Sequence, residues 1–249
     1  MLSLVVIARN EGDRLARCLR SVPWASQALV VVDTSTTDDT AEIALREGAR
    51  VIRAGWPGHV AQKNRALAEA STPWILSLDA DEWLTPEAGA SVQRALVDPG
   101  DAVGFSLPRC SRWLGRPLRH GRWYPDRKVR VARRGRARWV GDDPHDRMEV
   151  DGRVRPLQGD IGHQPYRTIW EHLSTIDRYT QIHAASMHQR GARSHRWDPP
   201  LHAALHFVDA MLLKSAWRDG VDGAAVALLG AVYSGLKWRR LRQLGRSAP

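Results

Sequence analysis

The stretch that decides the fold is Trp74–Trp83, which reads WILSLDADEW. Trp74 to Leu78 are mostly apolar, as in a short strand buried on both faces. The strand then runs directly into Asp79-Ala80-Asp81-Glu82. Ligands bind at the carboxyl ends of the strands in an open α/β sheet, so these carboxylates predict a site for a positive group. Aspartates at positions i and i+2 can bind Mg²⁺ or Mn²⁺ through their carboxylate oxygens, and such an ion can in turn bind a diphosphate. The alternative is an ordinary polar end of a strand.

Strands and helices alternate along the first hundred residues. Apolar runs predict strands at Leu2–Ala8, Ala28–Val32, Arg50–Ala54 and Trp74–Leu78. Helical patterns follow each run, and the Asp39/Glu42 spacing predicts a capping box at the start of the second helix. This alternation indicates βαβ units and a mostly parallel sheet. The sequence contains neither GxGxxG nor GxxxxGK[ST], and it therefore lacks the signatures of dinucleotide-binding proteins and of P-loop proteins.

Polar residues follow three of the predicted strands. They are Arg9-Asn10-Glu11 after the first, Asp33 after the second, and Asp79 with Asp81 after the fourth. The carboxyl ends of parallel strands meet at one edge of a sheet, so these side chains should converge. The sequence therefore predicts a nucleotide-type site at that edge.

Length and composition limit the class of protein. A chain of 249 residues with 43% hydrophobic content is long enough for one large domain, or for one domain with a smaller appendage. Two cysteines are too few for a disulfide framework, and the absence of CxxC argues against zinc. No run of eighteen apolar residues occurs, so we expect no membrane span and a cytoplasmic protein.

The positive charge is concentrated in one segment. The chain carries a net charge of +10, and residues 109–138 contain twelve Lys or Arg against a single acid, Asp126. Arginines alternate there with tryptophans, a mixture that RNA-binding proteins also show. The alternation of Val129 and Val131 with basic residues instead indicates an ordered strand. An anionic saccharide acceptor would also account for the arginines.

Four ordered motifs carry a resemblance to a known family. IARNEG, VVDTSTTD, AQKNRAL and LSLDADEW resemble the inverting family-two glycosyltransferases of GT-A fold. Among these, the chain is most similar to the lipopolysaccharide inner-core glucosyltransferase branch. The resemblance implies metal-dependent transfer of glucose from UDP-glucose to a saccharide or lipid-linked acceptor, in lipopolysaccharide or other cell-envelope glycan synthesis. Ser35 departs from the glycine usual in the family, and a positive φ there would cost energy.

The resemblance also implies roles for individual residues. Inverting transfer needs a base that takes the acceptor proton. Asp146 is the first candidate, in a His145-Asp146-Arg147 segment where the related branch has His-Glu-Arg, and Asp126 is the second. Asp81 would be the more direct metal ligand, with His163 completing the metal shell. The residues implied to bind the nucleotide sugar are Ala8, Arg9, Glu11, Asp33, Lys63 and Asp79, and those implied to bind Mg²⁺ or Mn²⁺ are Asp79, Asp81 and His163.

We expect a GT-A domain over residues 1–195, with a nucleotide-sugar-binding half at 1–100 and an acceptor-binding half at 101–195. Residues 196–249 should form a helical appendage, interrupted between Gly220 and Gly223. Its apolar stretch 224–236 and basic end suit peripheral contact with the cytoplasmic face of the inner membrane. A helical hairpin packed on the catalytic domain or a partner subunit is the alternative. No nucleic acid partner is expected. The alternatives in function are a sugar nucleotidyltransferase and an RNA-binding module that uses the basic stretch.

Overall fold

The structure is a computed structural model that describes residues 1–141 and 146–246. Its internal contacts divide the chain into two compact units, and both are interrupted in sequence. The first unit comprises Met1–Arg109 and Asp126–His163, and the second comprises Cys110–Pro125 and Gln164–Pro249. The boundary that we predicted at residue 195 differs from this division, because residues 164–195 belong to the second unit.

Twelve strands are found in the described residues. Ten of them form one sheet in the order β3-β2-β1-β4-β8-β6-β12-β5, with β7 and β11 paired to β6, while β9 and β10 form a hairpin. The strands are β1 Leu2–Ala8, β2 Gln27–Asp33, β3 Arg50–Ala54, β4 Trp74–Asp79, β5 Glu82–Leu84, β6 Ala102–Trp113, β7 Arg116–Pro117, β8 Asp126–Arg133, β9 Ala137–Val140, β10 Arg147–Val150, β11 Arg153–Pro156 and β12 Ile161–His163.

The central strand β1 is buried on both faces, as its apolar run predicts. It pairs in parallel with β2 on one side and with β4 on the other. Leu4 and Val6 enter one apolar cluster, and Val5 and Ile7 enter a second cluster. Successive side chains of a strand point to opposite faces, so the two clusters cover the two sides of the sheet. The expected α/β fold is confirmed: β3, β2, β1 and β4 are parallel, and β8 then joins β4 in antiparallel pairing.

The helices of the first unit agree closely with the sequence pattern; they are α1 Gly12–Arg20, α2 Thr40–Arg46, α3 His59–Ala68 and α4 Pro86–Val97. The predicted capping box of α2 is wrong, because the Asp39 side chain makes no capping hydrogen bond. Asp38 instead accepts hydrogen bonds from the backbone N–H groups of Gly12 at 3.0 Å and Thr40 at 3.1 Å. It thereby ties the start of α2 to the start of α1.

The second unit is mainly helical. Its helices are α5 Ile169–Gln189, α6 Asp198–Val208 and α7 Gly220–Arg246, with a π-helical turn at Asp209–Leu213 and a 3-10 turn at Ala216–Asp219. The predicted interruption between Gly220 and Gly223 is wrong, since α7 begins at Gly220 and continues without a break. A Cβ atom on Gly223 would lie 2.0 Å from the Ala216 carbonyl oxygen, so this glycine permits a close approach. Within the described ranges, no helix is long and apolar enough to cross a membrane.

Candidate active site

Asp33, at the carboxyl end of β2, is only 2% exposed. Its carboxylate accepts hydrogen bonds from the Ser35 backbone N–H at 3.0 Å and the Ser35 hydroxyl at 2.7 Å, and it faces Arg9 at 3.2 Å. The two bonds from Ser35, with the charge of Arg9, hold the pKa of Asp33 below its ordinary value. Ser35 is not among the residues with positive φ. Serine therefore causes no strain here, and its hydroxyl adds a donor that glycine lacks.

Asp79, at the carboxyl end of β4, lies between two cations. Its carboxylate oxygens contact the Lys63 ammonium at 2.7 Å and the Arg130 guanidinium at 2.9 Å. Burial raises the pKa of Asp79, but the two cations outweigh it and hold that pKa well below its ordinary range. The same Lys63 Nζ lies 2.7 Å from Asp146 Oδ2. One lysine thus joins Asp79 to the candidate base Asp146, which lies 83 residues after the lysine in the chain.

Glu82 has no exposed surface and lies at the centre of a network of ion pairs. The network consists of Lys63, Asp79, Glu82, Arg109, Arg130 and Asp146. Its carboxylate accepts two hydrogen bonds from Arg130, at 3.0 Å and 2.7 Å, and one from Arg109 at 3.2 Å. It also accepts the Asp79 backbone N–H at 3.2 Å, which fixes the turn that leaves β4. A fully buried carboxylate needs such partners, because an unpaired charge in the interior is very unfavourable.

The Trp139 indole ring lies beside both buried cations of the network. Its centroid is 4.2 Å from Lys63 Nζ and 5.1 Å from the centre of the Arg130 guanidinium. The Asn64 side chain holds the backbone of Trp139 through two hydrogen bonds, at 2.8 Å and 2.9 Å. Aromatic faces attract cations, so the ring stabilises Lys63 and Arg130 in addition to their carboxylate partners.

Asp81 has a different environment from Asp79. Its Oδ2 lies 3.5 Å from His163 Nε2 and 3.8 Å from an Arg14 nitrogen. His163 is brought there by the pairing of β12 with β5, in which it lies opposite Glu82. Burial raises the pKa of Asp81, and His163 outweighs it, so the pKa lies below its ordinary value. Arg14 also pairs with Glu11, which links the end of β1 to this carboxylate.

The predicted metal set is not assembled as a three-residue centre. Over residues 1–141 and 146–246, no group of three or more His, Cys, Asp or Glu side chains is arranged to hold a metal ion. The two oxygens of Asp79 contact Lys63 and Arg130, so a metal ion bound there would compete with these two cations. Asp81 and His163 fit a cation better, since a carboxylate and an imidazole lie 3.5 Å apart there. Mg²⁺ commonly takes one or two protein ligands and completes its shell with substrate phosphates and water.

The remaining predicted residues fall into three groups. Arg9 and Glu11 lie at the end of β1, whereas the side chain of Ala8 is 1% exposed and packs in the core. Asp126, the second candidate base, is held by Arg109 at 2.7 Å and Lys128 at 3.0 Å. These two cations outweigh burial and lower its pKa. His145 lies outside the described residues.

Sequence reasoning missed three residues of the network, namely Glu82, Arg109 and Arg130. Arg130 was expected to alternate with buried valines, yet it is itself 3% exposed. The pairing of β8 with β6 shifts there, since Phe105 lies opposite Val131 and Ser106 opposite Val129. Such a bulge redirects a side chain, and here it aims Arg130 at the carboxylates that follow β4. The signal available in the sequence was the group of three carboxylates at the end of β4, Asp79, Asp81 and Glu82, because buried carboxylates need a cation nearby.

The sheet and its flanking helices have the GT-A fold. S. aureus TarS 1-349, in complex with UDP-GlcNAc, has the same fold at a TM-score of 0.50 and 13% identity, with 98% of this chain and 91% of that chain covered. The mannosyltransferase PcManGT from Pyrobaculum calidifontis, in complex with GDP-Man and Mn²⁺, has a TM-score of 0.50 at 17% identity, with 99% of this chain and 79% of that chain covered.

The family follows from the sequence. The chain belongs to glycosyl transferase family 2, whose model matches residues 3–149. It is 26% identical over 253 residues to the lipopolysaccharide core biosynthesis glycosyltransferase LpsC of Rhizobium meliloti (strain 1021), with 97% of this chain and 92% of that protein covered. The predicted fold class and family are confirmed, and the chain is a glycosyltransferase.

Proposed function

We propose that this glycosyltransferase moves glucose from UDP-glucose to a lipid-linked saccharide acceptor, with inversion, in lipopolysaccharide core synthesis. The observation that carries the proposal is the Lys63 bridge between Asp79 and Asp146, because it brings a carboxylate base to the ligand-binding edge of the sheet. The likeness to LpsC supports the choice of acceptor class. The choice of UDP-glucose as the donor rests on the resemblance of the four motifs of the first unit to family-two glycosyltransferases.

The binding roles follow from the chemistry of the side chains. Asp33 has oxygens suited to accept from a ribose hydroxyl or a uracil imide N–H. Arg9 and Glu11 lie at the same edge, directly after Ala8, which is itself only 1% exposed. Lys63 offsets negative charge near the donor diphosphate. A divalent ion, Mg²⁺ or Mn²⁺, held by Asp81 and His163 would stabilise the charge that develops on the leaving diphosphate.

In the transfer step Asp146 accepts the proton of the acceptor hydroxyl. That oxygen forms its bond to the anomeric carbon while the bond from this carbon to the diphosphate oxygen breaks, and the electron pair leaves with UDP. Attack from the face opposite the leaving group inverts the anomeric configuration. Asp146 is suited to this role because Lys63 fixes its Oδ2 at the ligand-binding edge of the sheet. General base catalysis of this kind contributes about 10²–10⁴-fold to the rate.

The acceptor and location are part of the same proposal. Arginines of the 109–138 segment would hold an anionic acceptor, and a lipid-linked acceptor is presented at a membrane surface. We therefore place the protein in the cytoplasm, at the cytoplasmic face of the inner membrane. A sugar nucleotidyltransferase is a weaker candidate, because the glycine-rich phosphate loop that such enzymes normally use does not occur in this sequence.

Calorimetric titration with UDP, GDP, ADP and CMP, each with and without Mn²⁺, tests the donor and the ion. We expect UDP to bind most tightly, and Asp81→Asn to remove the Mn²⁺-dependent part of its affinity. Asp146→Asn should keep UDP binding and lose at least about a hundredfold in transfer rate. Asp101→Asn, on an exposed loop where the carboxylate pairs with Arg153 at 2.9 Å, is the matched control. If no nucleoside diphosphate binds under any of these conditions, the proposal is wrong.

A further inference from the structure

Exposed apolar side chains are concentrated in the second unit. Sixteen of the nineteen large apolar residues that are exposed in the described chain lie there, and only Met1, Leu45 and Val97 lie in the first unit. Scattered single apolar residues on a surface are ordinary, whereas a contiguous set marks an interaction site. The arrangement of these residues on α6 and α7 therefore decides whether they form a surface.

On α6 and the π-helical turn after it, the exposed apolar residues follow helical spacing. Leu201, Leu205, Val208 and Leu212 are 52%, 55%, 46% and 66% exposed. Steps of four, three and four residues place them along one side of a helix. No residue of α6 is fully buried. The side that an amphipathic helix normally packs against a core here faces outward.

A second apolar stripe runs along α7. Val221, Leu228 and Val232 are 83%, 57% and 41% exposed, at steps of seven and four residues. The two helices pack side by side through other residues: the His202 and Trp238 rings stack at 4.0 Å between centroids. The close packing of α6 against α7 thus leaves both stripes outward.

The turn between the two helices combines apolar, aromatic and basic side chains. Leu213 is 76% exposed and Trp217 is 58% exposed, and Lys214 and Arg218 are both exposed. Tryptophan favours the boundary between water and lipid, and lysine and arginine there reach the headgroups. The composition of this turn is that of an interfacial segment.

Three of the four acids in residues 196–246 pair with basic side chains of the chain, and the segment as a whole has a net positive charge. Asp209 pairs with Arg122, and Asp219 pairs with the His120 ring at 2.7 Å. Asp222 lies 3.1 Å from Arg116. Residues 196–246 carry eight Lys or Arg and only four acids. Charge complementarity therefore favours an anionic partner over a neutral or acidic protein surface.

We propose that these two stripes and the turn between them bind the surface of a membrane containing anionic lipids. The membrane-binding face consists of Leu201, Leu205, Val208, Leu212, Leu213, Trp217, Val221, Leu228 and Val232. The helices lie in the plane of the interface with this face at the boundary of headgroups and acyl chains. Lys214 and Arg218 contact anionic headgroups. This inference rests on the membrane location proposed above, but vesicle binding is measured without sugar transfer, so the two can fail separately.

Co-sedimentation of the full chain with large unilamellar vesicles tests the proposal. We expect binding to phosphatidylcholine vesicles with 30% phosphatidylglycerol, and much weaker binding to phosphatidylcholine alone. Leu212→Ser with Leu213→Ser should weaken binding roughly tenfold or more, because two exposed leucines no longer enter the interface. The matched control is Leu45→Ser with Val97→Ser, two residues of the first unit that are 61% and 87% exposed; it should bind like the wild type.

A charge-reversal pair makes the test independent of the leucines. Lys214→Glu with Arg218→Glu should weaken binding to the anionic vesicles roughly thirtyfold, while Arg94→Glu with Arg134→Glu, the same charge change on exposed residues of the first unit, should weaken it far less. Circular dichroism and UDP titration of each variant show whether it is folded. The proposal is overturned if the wild type stays in the supernatant, or if the control pairs lose as much binding as the test pairs. Dimerisation in solution that is lost in Leu212→Ser/Leu213→Ser, without vesicle binding, would also overturn it and assign the face to a second copy.

Discussion

Arg130 carries its charge in the interior of the first unit, where it contacts both Glu82 and Asp79. Replacing Arg130 by Met would leave the fully buried Glu82 carboxylate with Arg109 as its remaining cation. Breaking a buried ion pair in this way costs about 3–5 kcal/mol. We therefore expect Arg130→Met to lower the free energy of unfolding by that amount, measured by urea denaturation of the whole chain.

The exposed Arg134, close to Arg130 in sequence, gives the control, and Arg134→Met should change stability by less than about 0.5 kcal/mol. Adding Glu82→Gln to Arg130→Met should restore part of the loss, since the amide needs no counter-charge. A loss below about 1 kcal/mol for Arg130→Met alone would show that Arg109 is sufficient for Glu82.

His172, on α5 of the second unit, is 5% exposed and buried as a neutral ring. Its Nδ1 accepts a hydrogen bond from the Trp113 indole N–H at 3.2 Å, which requires that nitrogen to be unprotonated. Burial lowers the pKa of His172 from 6.5 to about 4. In the unfolded chain the ring takes up a proton as the pH falls through 6.5, and in the folded chain only near pH 4. Stability from this group is therefore complete above pH 7 and is lost between about pH 6.5 and 4.

The measurement is the difference in unfolding free energy between wild type and His172→Gln as a function of pH. Because His172 lines a cavity of about 290 Å³ that admits solvent, we expect the difference to shrink by about 2 kcal/mol between pH 7 and 4.5. The exposed His195→Gln should show no comparable pH dependence. A constant difference for His172→Gln would mean that the ring is protonated equally in both states.

At the scale of elements, the pairing of β12 with β5 decides where His163 lies. Gly162 makes this pairing possible, because a Cβ atom there would lie 2.2 Å from the Trp83 ring. We expect Gly162→Ala to destabilise the chain by about 1–3 kcal/mol through overpacking, and to weaken Mn²⁺-dependent UDP binding, since His163 is the next residue. Gly55→Ala is the control, because a Cβ on Gly55 meets nothing within 4 Å. Unchanged stability of Gly162→Ala would show that the Trp83 ring moves aside.

Elements of the first hundred residues were largely predictable from the sequence. Their strands are contiguous apolar runs that end at charged or glycine residues, so both type and position are encoded locally. The extent of β6 was not predictable: the pattern indicated a strand at Ala102–Leu107, and the structure continues it to Trp113. Its partners β7 and β8 lie later in the chain, and their pairing keeps residues 108–113 extended.

Several residues of the candidate site stand out in the sequence, but their pairing does not. Lys63, Asp79 and Asp146 each stand out in the sequence, yet the bridge joining them spans 83 residues and depends on tertiary packing. The direction of Arg130 depends on a bulge that no local pattern encodes. The division into two units was hidden for a similar reason, since residues 110–125 group with the C-terminal helices rather than with their neighbours in sequence.

At the scale of the whole molecule, the net charge of +10 raises the question of nucleic acid binding. The structure gives many of these cations partners of their own. At least seven of the twelve Lys and Arg in residues 109–138 pair with carboxylates of the chain. Paired cations are less free to displace counterions from a phosphate backbone.

We therefore expect only weak, non-specific RNA binding, with a Kd of roughly 10–100 μM at 150 mM salt that rises steeply with ionic strength. Fluorescence anisotropy with a labelled single-stranded RNA, beside UDP titration in the same buffers, measures both affinities. UDP binding should change far less with salt than RNA binding does, and Asp81→Asn should weaken only UDP binding, because Asp81 lies in the candidate active site and not on a basic surface. Nanomolar RNA affinity that survives both 150 mM salt and Asp81→Asn would instead favour the RNA-binding alternative.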